Sequence, residues 1–281
     1  MQGEHNADLS PRLTQEEFQA IKEFLSQHTG IALADNKRYL VQSRLGRLLP
    51  EMEMSSFGEL ALSLSRGTLP AKFRIRLIEA LTTHETCWFR DSAQFELLQN
   101  VLLPKLSRLG AIRIWSAACS TGQEPYSIGI CLCEAKRLQA LKLKAQILAT
   151  DLARSALDLA RQAVYSDLAV ARGLSRELRE RYFQRRSDGW QLNAEVTRLV
   201  SFQLLNLLHP FAALGKFDLI FCRNVLIYFA PEDRRQILKR MAEVLTPGGY
   251  LFLSSTESLP SGLDCLTPVL TLGVRYYTRL S

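Results

Sequence analysis

The sequence predicts an α/β protein in which a mostly parallel sheet, with helices on both faces, follows a small all-helical N-terminal domain. From Ser92 onward, short buried strand patterns alternate with helical patterns, which is typical of a parallel sheet. No strand pattern precedes Arg90, so we expect residues 1–80 to be helical. Between Ser175 and Ser201 the alternation stops, and we interpret this stretch as an inserted small antiparallel β-subdomain.

Composition and charge limit the possible classes of protein and partner before any motif is considered. The chain has 281 residues, of which 47% are hydrophobic and 22% charged, and this is an ordinary globular composition. Its net charge of +7 indicates an acidic partner. Nucleic acid, a membrane surface and a glutamate-rich protein all fit, and charge alone does not choose among them.

The cysteines and the apolar stretches predict a soluble, cytoplasmic protein. The 6 cysteines form no C-x-x-C pair and have no histidine at metal-ligand spacing, so we expect neither a metal site nor disulfides. The N-terminus has no apolar signal core. The most apolar stretch, 217–230, is interrupted by Asp218, Arg223 and Asn224, which argues against membrane insertion.

Helical patterns divide the N-terminal domain into successive segments. Thr14 and Glu17 have the spacing of a capping box, which predicts the start of the first helix. The expected helices run from that box to about 28, from 35 or 36 to 49, from 56 to 65 and from 70 to 82.

A basic edge is predicted on the second of these helices. At about 100° per residue, Lys37, Arg44 and Arg47 fall within roughly 80° of one another. Arg38 adds a further positive charge next to Lys37. This edge is either an ordinary solvated helix face or a docking surface, and the pattern does not decide between them.

The second part of the chain carries the alternating strands and helices. The expected strands run over 112–115, 145–150, 217–222, 250–255 and 273–279, and the expected helices over 92–109, 125–138, 154–163 and 231–245. Ligands in such a sheet bind at the carboxyl ends of the strands, near the point where the strand order reverses.

The stretch 112–127 is the strongest candidate for a cofactor site. Its strand runs into a tract of small residues, 116–122, and then into a helix, so a ligand can approach the backbone and the helix N-terminus. The tract holds only Gly122 and lacks G-x-G-x-x-G, which favours a nucleoside without a pyrophosphate. The alternative is close packing of a helix on the sheet.

Other polar residues are expected at the same strand ends. Asp151 directly follows the strand 145–150, where an acidic residue can accept hydrogen bonds from ribose hydroxyls. Its alternative role is the N-cap of the next helix. Asn206–Leu208 and Arg223–Asn224 each end a strand and are candidates for contacts with an adenine ring and a cofactor tail.

Several motifs appear in a fixed order along the chain. They are Leu-Thr-Thr-His-Glu-Thr-Cys-Trp-Phe-Arg at 81–90, Trp-Ser-Ala-Ala-Cys-Ser-Thr-Gly-Gln-Glu-Pro-Tyr-Ser at 115–127, Ala-Thr-Asp at 149–151, Asn-Leu-Leu at 206–208 and Phe-Asp-Leu-Ile-Phe-Cys-Arg-Asn-Val-Leu-Ile-Tyr-Phe at 217–229. Together they resemble the signatures of the chemotaxis receptor methyltransferases, the CheR family. The resemblance extends from about Phe18 over nearly the whole chain.

The resemblance implies a fold, a reaction and a set of domains. It implies a Rossmann-like, S-adenosylmethionine-dependent methyltransferase domain at 95–281 after a helical, receptor-docking domain at 1–80. A linker at 81–94 would contact the cofactor, and the inserted β-subdomain would span about 183–202. The expected reaction methylates glutamate side chains of chemoreceptors for chemotactic adaptation, giving γ-glutamyl methyl esters and S-adenosylhomocysteine.

The resemblance also implies the site residues. The expected cofactor contacts are His84, Thr86, Arg90, Glu124, Asp151, Asn206, Leu207, Arg223 and Asn224. Arg90 and Tyr228 would lie nearest the transferred methyl group and are the expected catalytic residues. His84 stands where the family usually has asparagine, and imidazole adds volume and a change of charge near neutral pH.

Elementary chemistry is consistent with this reaction. A glutamate carboxylate is ionised at neutral pH and a sulfonium activates its methyl group, so in-line displacement needs no general base. The expected task of Arg90 is to steer the carboxylate, and that of Tyr228 is to orient it through its hydroxyl. Too tight a clamp by Arg90 would stabilise the ground state and slow the reaction.

The expected partners are the acidic cytoplasmic signalling helices of transmembrane chemoreceptors, with the enzyme recruited to receptor arrays. Lys37, Arg38, Arg44 and Arg47, with the arginines of the insertion, would attract these helices by electrostatic steering. In the family, the β-subdomain can also add a receptor C-terminal peptide at its edge. The loop 184–191 is short, which favours an enzyme independent of that tether.

Two other functions remain open at this point. Positive charge would suit a nucleic-acid methyltransferase, but residues 222–228 read Cys-Arg-Asn-Val-Leu-Ile-Tyr where base-methylating enzymes resemble Asn/Asp-Pro-Pro-Tyr. We therefore expect no nucleic-acid partner. The other alternative is an inactive cofactor-binding module, for which His84 is the only hint.

Overall fold

The computed structural model describes residues 12–139 and 141–279. The chain divides into two compact units between Thr83 and His84. The outer ends of the predicted domains, residues 1–11 and 280–281, lie outside the described ranges. Within those ranges, no helix is long and apolar enough to cross a membrane.

The first unit is all-helical, as predicted. Its helices are α1 Gln15–Thr29, α2 Arg38–Gly46, α3 Phe57–Ser65 and α4 Ala71–Leu81, with 3-10 turns at Asp35–Lys37 and Pro50–Met52. The capping box of α1 is present, because Glu17 N donates to Thr14 Oγ1 (3.3 Å) and Thr14 N donates to the Glu17 carboxylate (2.7 Å). The second helix begins two or three residues after its predicted start and ends three residues before its predicted end, a common uncertainty at helix ends.

A buried apolar cluster holds this unit together. The apolar faces of α1 and α2 supply fully buried side chains, among them Phe18, Ile21, Leu25, Val41 and Leu45. Their spacing of three or four residues is the helical period that the sequence showed. The opposite faces carry mostly polar and charged side chains, although Tyr39 of α2 is also exposed.

The second unit begins with helical turns and continues as alternating strands and helices. The opening elements are α5 Ser92–Leu97, a π-helix Leu98–Leu102, α6 Leu103–Leu106 and a 3-10 turn Ser107–Leu109. The elements that follow are β1 Ala111–Ala117, α7 Gln123–Gln139, β2 Lys144–Asp151, α8 Arg154–Gln162, β3 Val164–Tyr165, α9 Asp167–Ala171, α10 Arg176–Tyr182, β4 Phe183–Arg186, β5 Gly189–Leu192, α11 Ala194–Thr197, β6 Val200–Leu204, β7 Phe217–Cys222, α12 Pro231–Val244, β8 Leu245–Phe252, β9 Leu266–Thr271 and β10 Val274–Arg279.

The strands form a seven-stranded sheet in the order β6-β2-β1-β7-β8-β10-β9. The strands from β6 to β8 are parallel, and β10 runs antiparallel to both of its neighbours. From β1, the chain first adds β2 and β6 on one side of the sheet, and it then adds β7 and β8 on the other side. This reversal opens a crevice at the carboxyl ends of β1 and β7, as in doubly wound folds.

Both faces of this sheet are covered at its centre. Along β7, Leu219 and Phe221 pack into the cluster on one face, while Ile220 and Cys222 pack into the cluster on the other. Because neither face meets water, the strand reads as a continuous apolar run rather than an alternation. The predicted α/β, Rossmann-like fold is confirmed.

A three-stranded antiparallel sheet, in the order β3-β5-β4, forms the inserted β-subdomain. The hairpin of β4 and β5 has Gly189 at its turn, as predicted. The observed range differs from the predicted 183–202 at both ends. Val164–Tyr165 joins the small sheet, whereas Val200–Leu204 pairs with β2 in the large sheet, because a period-2 pattern does not specify which sheet a strand enters.

Candidate active site

The loop between β1 and α7 is tightly folded and partly strained. Ala118 and Ser120 have positive φ values of 59° and 51°, a conformation that residues other than glycine adopt at an energetic cost. At Gly122, φ is 95° and an added Cβ would meet Ala160 Cβ and Tyr165 Oη at 3.0 Å. Gly122 thus allows close packing of the loop, which is the alternative that the sequence left open. The rest of the loop follows the carboxyl end of β1, where the crevice lies.

Asp151 ties this loop to the end of β2. One carboxylate oxygen accepts a hydrogen bond from Ser120 N (2.8 Å) and the other from Ala153 N (3.0 Å). The Ser120 hydroxyl donates in turn to His84 O (3.1 Å). The Asp151 side chain therefore fixes the backbone just before α8 and the backbone of the loop after β1. Through Ser120, this loop is also joined to the segment at His84.

Glu124 lies in the first turn of α7, where a negative charge is favourable. One carboxylate oxygen accepts from Ser116 Oγ (2.7 Å) and the other from Arg223 Nη1 (3.0 Å). Burial raises the pKa of Glu124, and the positive charge of Arg223 is the largest influence in the opposite direction.

Arg223, directly after β7, is buried with a side chain only 1% exposed. Besides Glu124, it pairs with Asp91 (2.9 Å), donates to Arg90 O and lies over the Phe95 ring. Its Nε has no hydrogen-bond partner among the described residues. A buried cation needs such compensation, so Arg223 holds the turn at Arg90 and Glu124 in one cluster.

Arg90 itself stands between two strained residues. Phe89 has a φ of 47° and Asp91 a φ of 59°. Arg90 is half-buried, and its Nη1 donates to Glu85 O (3.1 Å). Glu85 forms an ion pair with Arg172, whose hydrogen bond lowers the pKa of that exposed carboxylate.

Asn206 and Leu207 follow β6 and lie next to Asp151. Leu205 N donates to Asp151 O (2.9 Å), and Asn206 Oδ1 accepts from Leu208 N (2.9 Å) in a local side-chain turn. Arg240 of α12 donates to the carbonyl oxygens of Leu207 (3.0 Å) and Leu208 (2.7 Å). The segment is thus fixed at both its side-chain and its backbone atoms.

The structure brings most of the predicted cofactor residues to one end of the large sheet. Arg90, Glu124 and Arg223 form one cluster, and Ser120 links His84 to Asp151. Asn224 and Tyr228 follow β7, Asn206 and Leu207 follow β6, and Thr86 is half-buried in the segment after His84.

Two acidic residues of this region were not predicted. Asp91 pairs with Arg223 across 132 positions of sequence, and Glu257 accepts backbone hydrogen bonds from the turn after β7. The available signal for Asp91 is its position before α5, where an aspartate is a common helix cap, but its side chain caps no backbone N–H group there. Glu257 follows β8, so the general rule for strand ends could have included it.

The predicted docking residues all lie in the first unit. Lys37, Arg38 and Arg47 are exposed on or beside α2. Arg44 is half-buried, and its Nη1 donates to the carbonyl oxygens of Ala80 (3.4 Å) and Thr82 (3.0 Å). Arg44 thus satisfies carbonyl groups at the C-terminal end of α4, a common role of basic side chains.

Three arginines in or near the insertion are neutralised within the second unit. They form ion pairs between Arg176 and Glu180 (2.7 Å), Arg181 and Glu134 (2.8 Å), and Arg185 and Asp167 (2.6 Å). The contribution of these three to long-range steering is smaller than the sequence suggested, because each of their charges has an acidic partner at contact distance. Arg179 instead lies over the Trp190 ring and Arg186 donates to Gln191, so both keep their net positive charge.

Comparison with known proteins agrees with the motifs. The family model of the CheR methyltransferase all-alpha domain matches residues 16–82, and that of the CheR methyltransferase SAM binding domain matches residues 84–270. Chemotaxis protein methyltransferase 1 of Pseudomonas aeruginosa is 45% identical over 86% of this chain and 90% of its own length.

Two further relatives match over similar lengths. Chemotaxis protein methyltransferase Cher2 of Pseudomonas putida is 44% identical over 86% of this chain and 90% of its own length. Chemotaxis protein methyltransferase of Vibrio parahaemolyticus is 43% identical over 90% of this chain and 92% of its own length. The predicted resemblance and cofactor are confirmed: the chain belongs to the CheR family of S-adenosylmethionine-dependent chemotaxis methyltransferases.

Proposed function

We propose that this chain transfers the methyl group of S-adenosylmethionine to glutamate side chains of chemoreceptors, forming γ-glutamyl methyl esters and S-adenosylhomocysteine. The observation that carries the proposal is the 45% identity with a chemotaxis protein methyltransferase over 86% of the chain. Receptor glutamate methylation is the function of the family to which the chain belongs.

Glu124 has the chemistry to bind the ammonium group of the cofactor. Its carboxylate is buried and oriented by Ser116, and burial raises its pKa. A second cation beside it, in addition to Arg223, would favour the ionised form further. Burial thus raises the pKa of Glu124 more than Arg223 and Ser116 lower it, and this supports the fit of a further cation, an ammonium group, at Glu124.

Asp151 and the segment after β6 suit the nucleoside. Each oxygen of Asp151 accepts one backbone hydrogen bond, and a carboxylate offers about four lone-pair sites in all. The remaining capacity suits two ribose hydroxyls. Asn206 and Leu207, joined to Asp151 through Leu205 N, would border the adenine ring.

The remaining residues would position the substrate. When bound, the cofactor supplies an electrophilic methyl group on a sulfonium, which an ionised glutamate can accept without a general base. Arg90, held between two strained residues, would align the incoming carboxylate, and the Tyr228 hydroxyl would orient it. A loose contact serves this purpose better than a tight one.

The receptor would be recognised chiefly through charge, in the cytoplasm at receptor arrays. Lys37, Arg38 and Arg47 are exposed and suit the acidic signalling helices of a chemoreceptor. The edge of β4 offers a place for a strand-like receptor peptide. The turn between β4 and β5 is short, which favours methylation that does not depend on such a tether.

The test is transfer of radioactive methyl from tritiated S-adenosylmethionine to membranes that carry chemoreceptors. A methyl ester releases volatile methanol in mild alkali, so the expected result is alkali-labile label on receptor protein. Receptors with the methylated glutamates changed to alanine serve as the control. Label that resists alkali, or that nuclease removes, would contradict the proposal and favour the nucleic-acid alternative.

A further inference from the structure

The turn that follows β7 carries two of the proposed site residues, Asn224 and Tyr228. Asn224 has a left-handed backbone with a φ of 56°. The backbone N–H groups of Asn224, Leu226 and Ile227 all donate to one side chain, the carboxylate of Glu257, at 2.8, 2.9 and 3.3 Å. A single carboxylate therefore fixes the backbone that aims Asn224 and Tyr228.

Glu257 reaches this turn from the neighbouring strand. It follows β8, which runs parallel to β7, and it is only 8% exposed. It also accepts hydrogen bonds from Ser254 N (3.1 Å) and Ser254 Oγ (2.7 Å), and its own N–H donates to Ser254 O (3.1 Å). Glu257 thus joins the ends of two adjacent strands at the edge of the sheet where ligands bind.

The chemistry of these contacts demands a carboxylate. Backbone N–H groups that converge in a turn form a concave site for an anion, and here the protein supplies the anion itself. A carboxylate only accepts hydrogen bonds, whereas a glutamine side chain of the same shape carries an NH2 group. Each oxygen of Glu257 accepts from at least one backbone N–H group of the turn. In Glu257→Gln, the NH2 group would replace one of these oxygens, and the hydrogen bonds that this oxygen accepts would be lost.

We propose that Glu257 is a positioning residue for methyl transfer, which holds the turn after β7 so that Tyr228 and Asn224 meet the reacting groups in a fixed geometry. This inference rests on the proposed function. A displacement of about 1 Å costs on the order of 10²-fold in rate, whereas binding tolerates small shifts better. The contribution of Glu257 is therefore alignment more than affinity.

The test compares Glu257→Gln with Glu134→Gln in the full chain. Glu134 is a matched control because it is also a buried carboxylate, bonded to Arg137, Arg181 and Tyr182, but it lies at the other end of α7. For Glu257→Gln, kcat with receptor membranes should fall about 10- to 100-fold. The Kd for S-adenosylmethionine should change much less, and Glu134→Gln should keep the wild-type kcat.

Calorimetry measures the Kd, and thermal melts verify that each variant is folded at the assay temperature. A folded Glu257→Gln with wild-type kcat, or with a kcat no lower than that of Glu134→Gln, would overturn the inference. If Glu257→Gln does not fold, Glu257→Asp decides by the same comparison, since its shorter carboxylate cannot reach both strand ends. Wild-type protein that transfers no methyl to receptor glutamates would instead overturn the proposed function.

Discussion

Arg90 offers the sharpest test at the scale of single residues. Its turn is strained on both sides and is held by Arg223 and Glu85, so the guanidinium is aimed rather than free to reorient. We expect Arg90→Ala to lower kcat about 10²-fold or more, because alignment of the incoming carboxylate is lost. The Kd for S-adenosylmethionine should rise far less.

Initial rates with receptor membranes and calorimetric titration with the cofactor separate these two effects. Arg161→Ala is a suitable control, because Arg161 pairs with Asp158 on the surface of α8. A folded Arg90→Ala that retains near-normal turnover would show that the positioning role is wrong.

Asp151 should behave in the opposite way. We expect Asp151→Asn to weaken S-adenosylmethionine binding about tenfold or more, since a charged acceptor for the ribose hydroxyls is replaced by a neutral amide. At saturating cofactor, kcat should stay within a few-fold of wild type. Calorimetry at fixed pH measures the binding, and Asp158→Asn, on the exposed face of α8, is the matched control. A normal Kd would contradict the proposed ribose contact.

The sequence could identify these side chains but not their connections. Asp151 and Arg223 were predicted because each directly follows a strand, and Glu124 was implied by the family resemblance. That Arg223 bridges Glu124 and Asp91 depends on contacts across 99 and 132 positions, which no local pattern encodes. The left-handed backbone at Phe89 was equally hidden, because phenylalanine is not a residue that turn chemistry marks, whereas aspartate, as at Asp91, is one that tolerates this conformation.

At the scale of elements, Glu134 joins α7 to the insertion through α10. Burial raises its pKa, but hydrogen bonds from Arg137, Tyr182 and Arg181 outweigh this and lower the pKa to about 2. Because the folded-state pKa lies below the ordinary value of 4.5, the stabilisation is complete above that pH. It is lost as the pH falls from about 4.5 towards 2, and its size is on the order of 3 kcal/mol.

Urea unfolding of wild type and Glu134→Gln at pH 7 and at pH 3 measures this linkage. The stability difference between the two proteins should be largest at pH 7 and smaller at pH 3. Glu180→Gln, which breaks an exposed pair with Arg176, should cost less than about 1 kcal/mol at either pH. An equal difference at both pH values would refute the role of the Glu134 charge.

The elements also show what periodicity can and cannot predict. The strand 217–222 and the turn at Gly189 were found correctly, because a buried apolar run and a hairpin glycine are local signals. The single predicted helix 92–109 is instead broken by a π-helix at 98–102, before Pro104, whose ring prevents a regular α-helical hydrogen bond. Strand β8 begins at Leu245, five residues before its predicted start at 250, and its register with β7 shifts between Phe217 and Leu219.

At the scale of the whole molecule, the two units carry different parts of the proposed function. The cofactor residues belong to the unit after His84, whereas the exposed cations of α2 belong to the unit before it. Each unit matches its own family model. Changes to the first unit should therefore alter receptor recognition without altering cofactor binding.

A charge-neutralised variant of α2 tests this separation. The exposed cations to be changed to glutamine are Lys37, Arg38 and Arg47. The KM for receptor membranes should rise roughly tenfold at low ionic strength, because steering of acidic helices is lost, and it should depend less on salt than in wild type. The Kd for S-adenosylmethionine should not change.

The control removes the same number of exposed cations from the second unit, at Lys105, Arg108 and Lys142. If the two triple variants raise KM equally, net charge and not the α2 surface governs receptor recognition.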